Sequence, residues 1–266
     1  MTINSAKLVY FSPTQTTRKV LAGIARGIQV DTVEELDLTP PAARTQELDE
    51  MYTELAIMGA PVYGGRIPID AVHRLRRLRG NNTPAVIIVV YGNRAYEDAL
   101  LELKHLAVAA GFIPVAAGAF IGEHSFSTPT TPIADGRPDA RDLQTTIAFG
   151  RLIQEKLGTI HALDEIPPLQ VPGNQPYKER AKPWRTAPVT REELCAQCET
   201  CSHVCPTAAV TVGAVVTTDP LDCILCCACV KNCPTGARVM EDARITQTAE
   251  WLNTNFRDRK EPELYI

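Results

Sequence analysis

All nine cysteines of this 266-residue chain lie between Cys195 and Cys233, and none occurs in the first 194 residues. Cys195, Cys198, Cys201 and Cys205, followed by Pro206, have the spacing C-x2-C-x2-C-x3-C-P. Cys223, Cys226, Cys229 and Cys233, followed by Pro234, repeat it 28 residues later. Two-residue gaps let three thiolates fold around three corners of an iron–sulfur cubane, while the fourth cysteine, sent on beyond the third, reaches a second cluster. The spacing therefore predicts two [4Fe-4S] clusters, one on Cys195, Cys198, Cys201 and Cys233 and the other on Cys205, Cys223, Cys226 and Cys229. Disulfides fit poorly: residues 1–5 lack the charged and apolar regions of an export signal, and in such a chain a dense cysteine block favours metal. Zinc is the other alternative, but structural zinc sites bring cysteines in separated pairs, not in triplets followed by a fourth cysteine and proline. Cys227 is left over, because Cys226 keeps the two-residue gap to Cys229. It is expected as a buried free thiol, with replacement of a neighbouring ligand as the alternative.

These residues resemble the bacterial two-cluster ferredoxins over roughly residues 192–240, about a fifth of the chain. Residues 209–217, between the halves, resemble the small hairpin of such modules. The resemblance implies negatively charged, all-cysteine clusters of low potential.

A second set of residues could hold a phosphate and an aromatic ring. Ser12-Pro13-Thr14-Gln15-Thr16-Thr17 precedes a helical pattern. A helix start offers unsatisfied N–H groups and a positive dipole end, and hydroxyls add donors, so the loop can bind phosphate without a lysine. The alternative is a plain Ser/Thr N-cap, which needs one hydroxyl. Two further loops carry glycine, which lets backbone approach a ring, and tyrosine, which stacks on one. They are Ala60-Pro61-Val62-Tyr63-Gly64-Gly65-Arg66 and Tyr91-Gly92-Asn93-Arg94-Ala95-Tyr96-Glu97-Asp98.

These loops need a frame that brings them together. Short apolar runs alternate with longer amphipathic ones from residue 6 onward, as in a parallel sheet with crossover helices. Strands are expected over residues 6–11, 32–37, 54–60, 84–91 and 113–120, and helices over 16–28, 95–110 and 139–157. PAVIIVVY at 84–91 is nearly all apolar and β-branched and should be central, whereas 32–37 is polar and should lie at an edge. Right-handed crossovers suggest an α/β fold with a doubly wound, five-stranded parallel sheet of order 2-1-3-4-5, whose ligand loops sit at the carboxyl ends of the strands.

At this point residues 1–160 or so resemble flavodoxin. Ser12, Thr14 and Thr17 match its phosphate loop, and Tyr63 and Tyr96 take the positions of its two aromatic residues flanking an isoalloxazine. Gln15 stands where the family has glycine. The resemblance implies FMN, held by Ser12, Thr14, Gln15, Thr16, Thr17, Pro61, Val62, Tyr63, Gly64, Gly65, Tyr91, Gly92, Asn93, Arg94, Tyr96 and Asp98. No second nucleotide fingerprint points to FAD, and no G-x-G-x-x-G after a strand points to NAD(P)H.

The expected organisation is a flavodoxin-like domain over residues 1–163, a proline-rich linker over 164–190, a small α+β ferredoxin module over 191–240, and a helix and charged tail over 241–266. This order is similar to the fusion flavoproteins called ferrodoxins, a resemblance that extends to GEHSFS at 122–127 and GRPD at 136–139. It implies electron transfer between the clusters and FMN, and on to an external one-electron redox protein. An FMN-dependent reductase of a small organic molecule is the alternative. A net charge of −4 supplies no basic field for nucleic acid, no run approaches the length of a membrane span, and a cytoplasmic location is expected. A homodimer is compatible with the sequence.

Three weaker features stay open. Residues 122–138, rich in Ser, Thr and Pro, are too long for a plain connection and read as a functional or capping loop. His124 either caps that loop or moves a proton at a flavin edge. Arg74, Arg76, Arg77 and Arg79 form either a solvated helix end or a docking patch for an acidic carrier.

Overall fold

The computed structural model describes residues 1–51 and 53–266. Its centre is the strand the apolar run implies: all nine residues of Thr83–Tyr91 are buried, as β-branched side chains are when helices cover both faces of a sheet. In chain order the first module runs β1 (Ser5–Tyr10), α1 (Thr16–Ile28), β2 (Thr32–Asp37), β3 (Leu55–Pro61), α2 (Ile69–Leu75), β4 (Thr83–Tyr91), α3 (Ala99–Ala109), β5 (Phe112–Ile121) and α4 (Ala140–Thr159). β2, β1, β3, β4 and β5 pair in that order and all in parallel, the doubly wound order expected.

Alternation along the strands splits the core in two. Leu8, Val86, Ile88 and Val90 face Leu21, Ile24 and Ile28 of α1 and Phe149 and Ile153 of α4. Val9, Met58, Ile87 and Val89 face Val72 of α2 and Leu100 and Leu103 of α3. α1 and α4 touch through glycines: a Cβ on Gly27 would meet the Gly150 Cα at 2.9 Å, so any larger residue would force the helices apart. The GRPD run serves α4. The Asp139 carboxylate accepts from the amides of Arg141 and Asp142, and Asp142 returns a bond to the Asp139 amide.

The second module contains β6 (Val189–Thr190), α5 (Thr200–His203), β7 (Val210–Val212), β8 (Val216–Thr218), α6 (Ala228–Lys231) and β9 (Arg238–Val239), then α7 (Ala243–Asn255) and β10 (Glu263–Tyr265). β7 and β8 form the expected hairpin, and β6 pairs with β9.

The structure corrects three expectations. The sheet has six strands, because β10 pairs antiparallel with the outer edge of β5, Leu264 opposite Gly118. An open edge presents unpaired N–H and C=O groups, and the chain terminus satisfies them. Second, the helix expected from residue 95 starts at Ala99, because residues 96–98 form a turn in which Glu97 has φ 44°. Third, the proline-rich segment lacks helix and strand over residues 166–188, but it is no free linker. The Asp98 carboxylate accepts from the Asn174 amide (2.8 Å) and the Lys178 amide (2.6 Å). Glu102 pairs with both Arg66 and Arg180 at 2.7 Å. Proline prevents a ladder but leaves carbonyls and side chains free to bond sideways.

Candidate functional site

A cavity of about 230 Å³ opens at the carboxyl ends of the strands, where open α/β sheets bind ligands. Thr14 lines it from the loop after β1 and Thr16 from the start of α1, Pro61 from the end of β3 and Val62, Tyr63 and Gly64 from the loop that follows, and Tyr91 and Gly92 from the end of β4. The stretch after β5, Gly122 to Phe126, supplies another wall. The last wall comes from the other module: Ile224 and Leu225, the two residues between Cys223 and Cys226.

The phosphate-loop residues divide their work. Thr14 and Thr16 hydroxyls lie 3.4 Å apart at the cavity edge. Ser12 is buried, its Oγ accepting from the Arg18 amide, so it braces the helix start and does not line the cavity. Gln15 adopts φ 63°, a left-handed conformation that costs a non-glycine residue about 1 kcal/mol or more. Its side chain bonds back to the Ser12 carbonyl at 3.1 Å. Thr17 Oγ1 is buried with no hydrogen-bond partner among the described residues. An unpartnered hydroxyl in the first turn of a helix, beside two more hydroxyls and the positive dipole end, fits an anionic group such as phosphate.

At the other end the lining is aromatic. Tyr63 is half-buried; burial first, and then charge at Cys226 and Cys227, raise its phenol pKa well above the ordinary value, against an opposing bond with Ser125. Gly92 packs under His124, where a Cβ would meet the ring at 2.3 Å. Burial, then the positive charges of Lys231 and Arg94, lower the His124 pKa to about 4, so its ring is neutral at pH 7. His124 both lines the cavity and caps its own loop, with Nδ1 accepting from the Phe126 amide at 3.1 Å.

Eight of the sixteen expected flavin-contact residues do not line the cavity: Ser12, Gln15 and Thr17 at the helix start, and five more that bond elsewhere. The Tyr96 hydroxyl bonds Glu263 at 2.6 Å and the Tyr265 hydroxyl at 2.9 Å, anchoring β10. Asn93 donates to the carbonyls of Phe256 and Asp258, and Arg94 pairs with Glu97. Asp98 holds the proline-rich segment, and Gly65 lies buried under the Glu97 side chain. Two left-handed residues, Asn93 (φ 65°) and Glu97 (φ 44°), shape this stretch, and no local pattern encodes them.

In the second module the 28-residue repeat extends to the backbone. Gln197 and Leu225 have φ of 49° and 56°, and Glu199 and Cys227 have 61° and 55°, so the two cysteine loops wind alike. Left-handed non-glycine residues are strained and persist where the surroundings impose them. Cys205 Sγ lies 3.6 Å from the Thr207 hydroxyl, and Cys233 Sγ lies 3.7 Å from the equivalent Thr235. Cys195, Cys198, Cys201 and Cys233 line one small cavity. Burial raises the Cys223 thiol to about 11. Cys198 is exposed, whereas Cys205, Cys226 and Cys229 are buried. Cys227 is also buried, its Sγ 3.8 Å from the Leu225 carbonyl. Among the described residues no three His, Cys, Asp or Glu groups converge closely enough to hold a single metal ion.

The modules are joined by side chains that motif reading missed. Arg74 is 1% exposed and donates to the carbonyls of Leu38, Thr39 and, across the interface, Pro206. It is neither a solvated helix end nor a docking charge. Lys231 of α6 pairs with Glu123 and donates to the Ser127 carbonyl at 2.7 Å, which ties α6 to the loop after β5. No helix among the described residues is long and apolar enough to cross a membrane.

No protein-family profile matches the chain, and no curated protein does. Among solved structures it is similar to a flavodoxin from the domain Archaea, with 16% identity and a TM-score of 0.37, over 58% of this chain and 99% of that one. A flavodoxin from Streptococcus pneumonia TIGR4 has 16% identity and a TM-score of 0.38, over 58% and 97% of the two chains. The rubredoxin oxygen:oxidoreductase of Desulfovibrio gigas has 14% identity and a TM-score of 0.36, over 59% of this chain and 37% of its own.

Proposed function

We propose that this chain is an electron-transfer flavoprotein in which a ferredoxin-like module with two [4Fe-4S] clusters exchanges electrons with FMN in the adjoining cavity. When bound, FMN exchanges one or two electrons and each cluster one, so the two clusters together match one flavin. The observation that carries the reading is the shared wall: Ile224 and Leu225, held between Cys223 and Cys226, close the cavity that Tyr63, Tyr91 and Gly92 line. This chain's residues would then do three things. Thr14, Thr16 and the first turn of α1 hold a phosphate, Tyr63 and Tyr91 flank an aromatic ring, and Ile224 and Leu225 keep water out between the ring and the nearer cysteine set. Exposed Cys198 marks the set nearer to solvent, where an external one-electron redox protein would dock.

The donor chemistry favours clusters over zinc. A zinc ion with Zn–S bonds of about 2.3 Å draws four thiolates together, whereas a cubane holds them farther apart. What supports the reading is the spacing, a cysteine triplet followed by a fourth cysteine and proline, given twice. The second reading, a reductase of a small organic molecule, draws on His124 in the cavity wall, but a ring held neutral at pH 7 is a poor proton donor.

The test uses the intact chain, purified anaerobically and supplied with FMN. We expect about eight iron and eight sulfide per chain, and about four electrons taken up on reduction. After rapid mixing with a one-electron donor, transfer from cluster to flavin should proceed at a rate independent of protein concentration. Two zinc ions without sulfide would remove the cluster assignment. A rate proportional to protein concentration would remove the relay within one chain.

A further inference from the structure

The reading above leaves one buried cation without a role. Arg238, in β9, is 2% exposed, and its hydrogen bonds all go to neutral acceptors. Nη1 donates to Thr190 Oγ1, and Nη2 donates to the Pro188 carbonyl at 2.9 Å and to Thr218 Oγ1. Nη2 also faces Cys229 Sγ at 3.8 Å. Nε is buried with no partner among the described residues. The same residue lines the cavity that Cys195, Cys198, Cys201 and Cys233 also line. Arg238 therefore stands between the two cysteine sets, its guanidinium facing Cys229 of one and the residue lining the hollow of the other.

A buried charge is costly unless opposite charge stands close by. Arg74 is also buried and its Nε also has no partner among the described residues, but its other donors go to two carbonyls of its own module and one across the interface, and none of them faces a cysteine sulfur. Arg238 bonds two hydroxyls and a carbonyl and still aims at sulfur. Its counter-charge is missing unless thiolate-ligated iron supplies it.

We propose that Arg238 is the shared counter-charge of the two clusters and holds both of their reduction potentials up. The inference rests on the cluster assignment made above. A fixed positive charge stabilises the more negative of two oxidation states, and for an all-thiolate cluster that is the one-electron-reduced state. Burial keeps the effect from being screened by salt. One electron enters from an external reductant, no bond forms or breaks, and Arg238 takes no part in proton transfer.

The experiment is an anaerobic dithionite titration of the full chain, followed by electron paramagnetic resonance, for the natural protein and for Arg238→Met, Arg238→Lys and Thr190→Asp. In Arg238→Met we expect both reduction equilibria to move roughly tenfold or more towards the oxidised form, equivalent to about 59 mV for one electron. Arg238→Lys keeps the charge and should stay near the natural values. Thr190→Asp leaves the guanidinium in place but sets a carboxylate against it, and should lower both potentials too. Unshifted potentials in Arg238→Met with full cluster content would overturn the proposal. A shift confined to the cluster of Cys229 would also overturn it, because Arg238 would then act only on one sulfur. If Arg238→Met fails to hold clusters, Thr190→Asp decides by the same criteria. Failure of the underlying assignment is seen separately, as natural protein without iron and sulfide, and it would overturn both.

Discussion

Arg74 Nη2 lies 2.6 Å from the carbonyl oxygen of Pro206, a residue 132 positions away that directly follows Cys205. The bond fastens the end of the first cysteine motif to the helix after β3, and the same guanidinium holds the Leu38 and Thr39 carbonyls. Arg74→Met would leave three carbonyls in a buried site without their donor. Hydrogen bonds to a buried charged group are worth about 1.5–3 kcal/mol each, partly offset by relief of the cation's own burial. We expect a net loss of roughly 2 kcal/mol in urea unfolding, and slower concentration-independent transfer. Unchanged stability would show that the interface stands without this bond.

Cys205→Ala should empty the cluster built on Cys223, Cys226 and Cys229 while leaving the one on Cys195, Cys198, Cys201 and Cys233. The reason is that the fourth cysteine of each motif is proposed to cross to the other set, and Cys233 lines a cavity with Cys195, Cys198 and Cys201. Cluster-resolved electron paramagnetic resonance with iron analysis reads this directly. Loss of the Cys195 cluster instead would reverse the ligand assignment.

Thr14→Ala should weaken FMN binding by about 1–3 kcal/mol, through a lost bond to a charged phosphate. Riboflavin, which has no phosphate, should bind the variant and the natural protein alike. Equal losses for both ligands would mean that Thr14 acts through folding.

Tyr96→Phe separates two roles for one residue. The variant loses the hydroxyl that bonds Glu263 and Tyr265, so β10 should loosen, at a cost of about 1–2 kcal/mol, and exchange its amides faster. Flavin affinity and absorbance should not change, since Tyr96 is not among the cavity-lining residues. A large drop in FMN affinity would put its ring back at the flavin.

His124 gives a pH dependence of known sign. Its folded pKa, lowered by burial to about 4, lies below the unfolded value of about 6.5. Between those values the unfolded chain binds a proton that the folded chain does not, so stability falls as pH drops from about 6.5 to about 4 and the effect then levels off. The loss is at most about 3 kcal/mol. His124→Gln should flatten the stability curve in this window, measured as a difference from the natural protein so that carboxylate titration cancels. Parallel curves would mean that the ring titrates normally.

The legible part of this protein was the part written in short-range pattern. Period-two alternation and β-branched runs determined the strands and, with right-handed crossovers, their order, because each depends on residues a few positions apart. The cysteine repeat was equally local, and so was the hydroxyl-rich start of α1. Sequence by itself did not reveal that Tyr96 bonds Glu263 and Tyr265 and stays off the cavity, since those partners lie more than 160 residues away and Asn93 and Glu97 both take left-handed conformations that no pattern marks. Nor did it reveal β10, whose three residues are too few to show a period and which forms only because β5 offers an open edge. Arg74 looked like part of a surface run because its partners are carbonyls, which every residue has and no motif marks. Above all, only the tertiary structure decided that Ile224 and Leu225 face the cavity. That contact joins loops more than a hundred residues apart, and it comes from the docking of two modules whose separate patterns carry no record of each other.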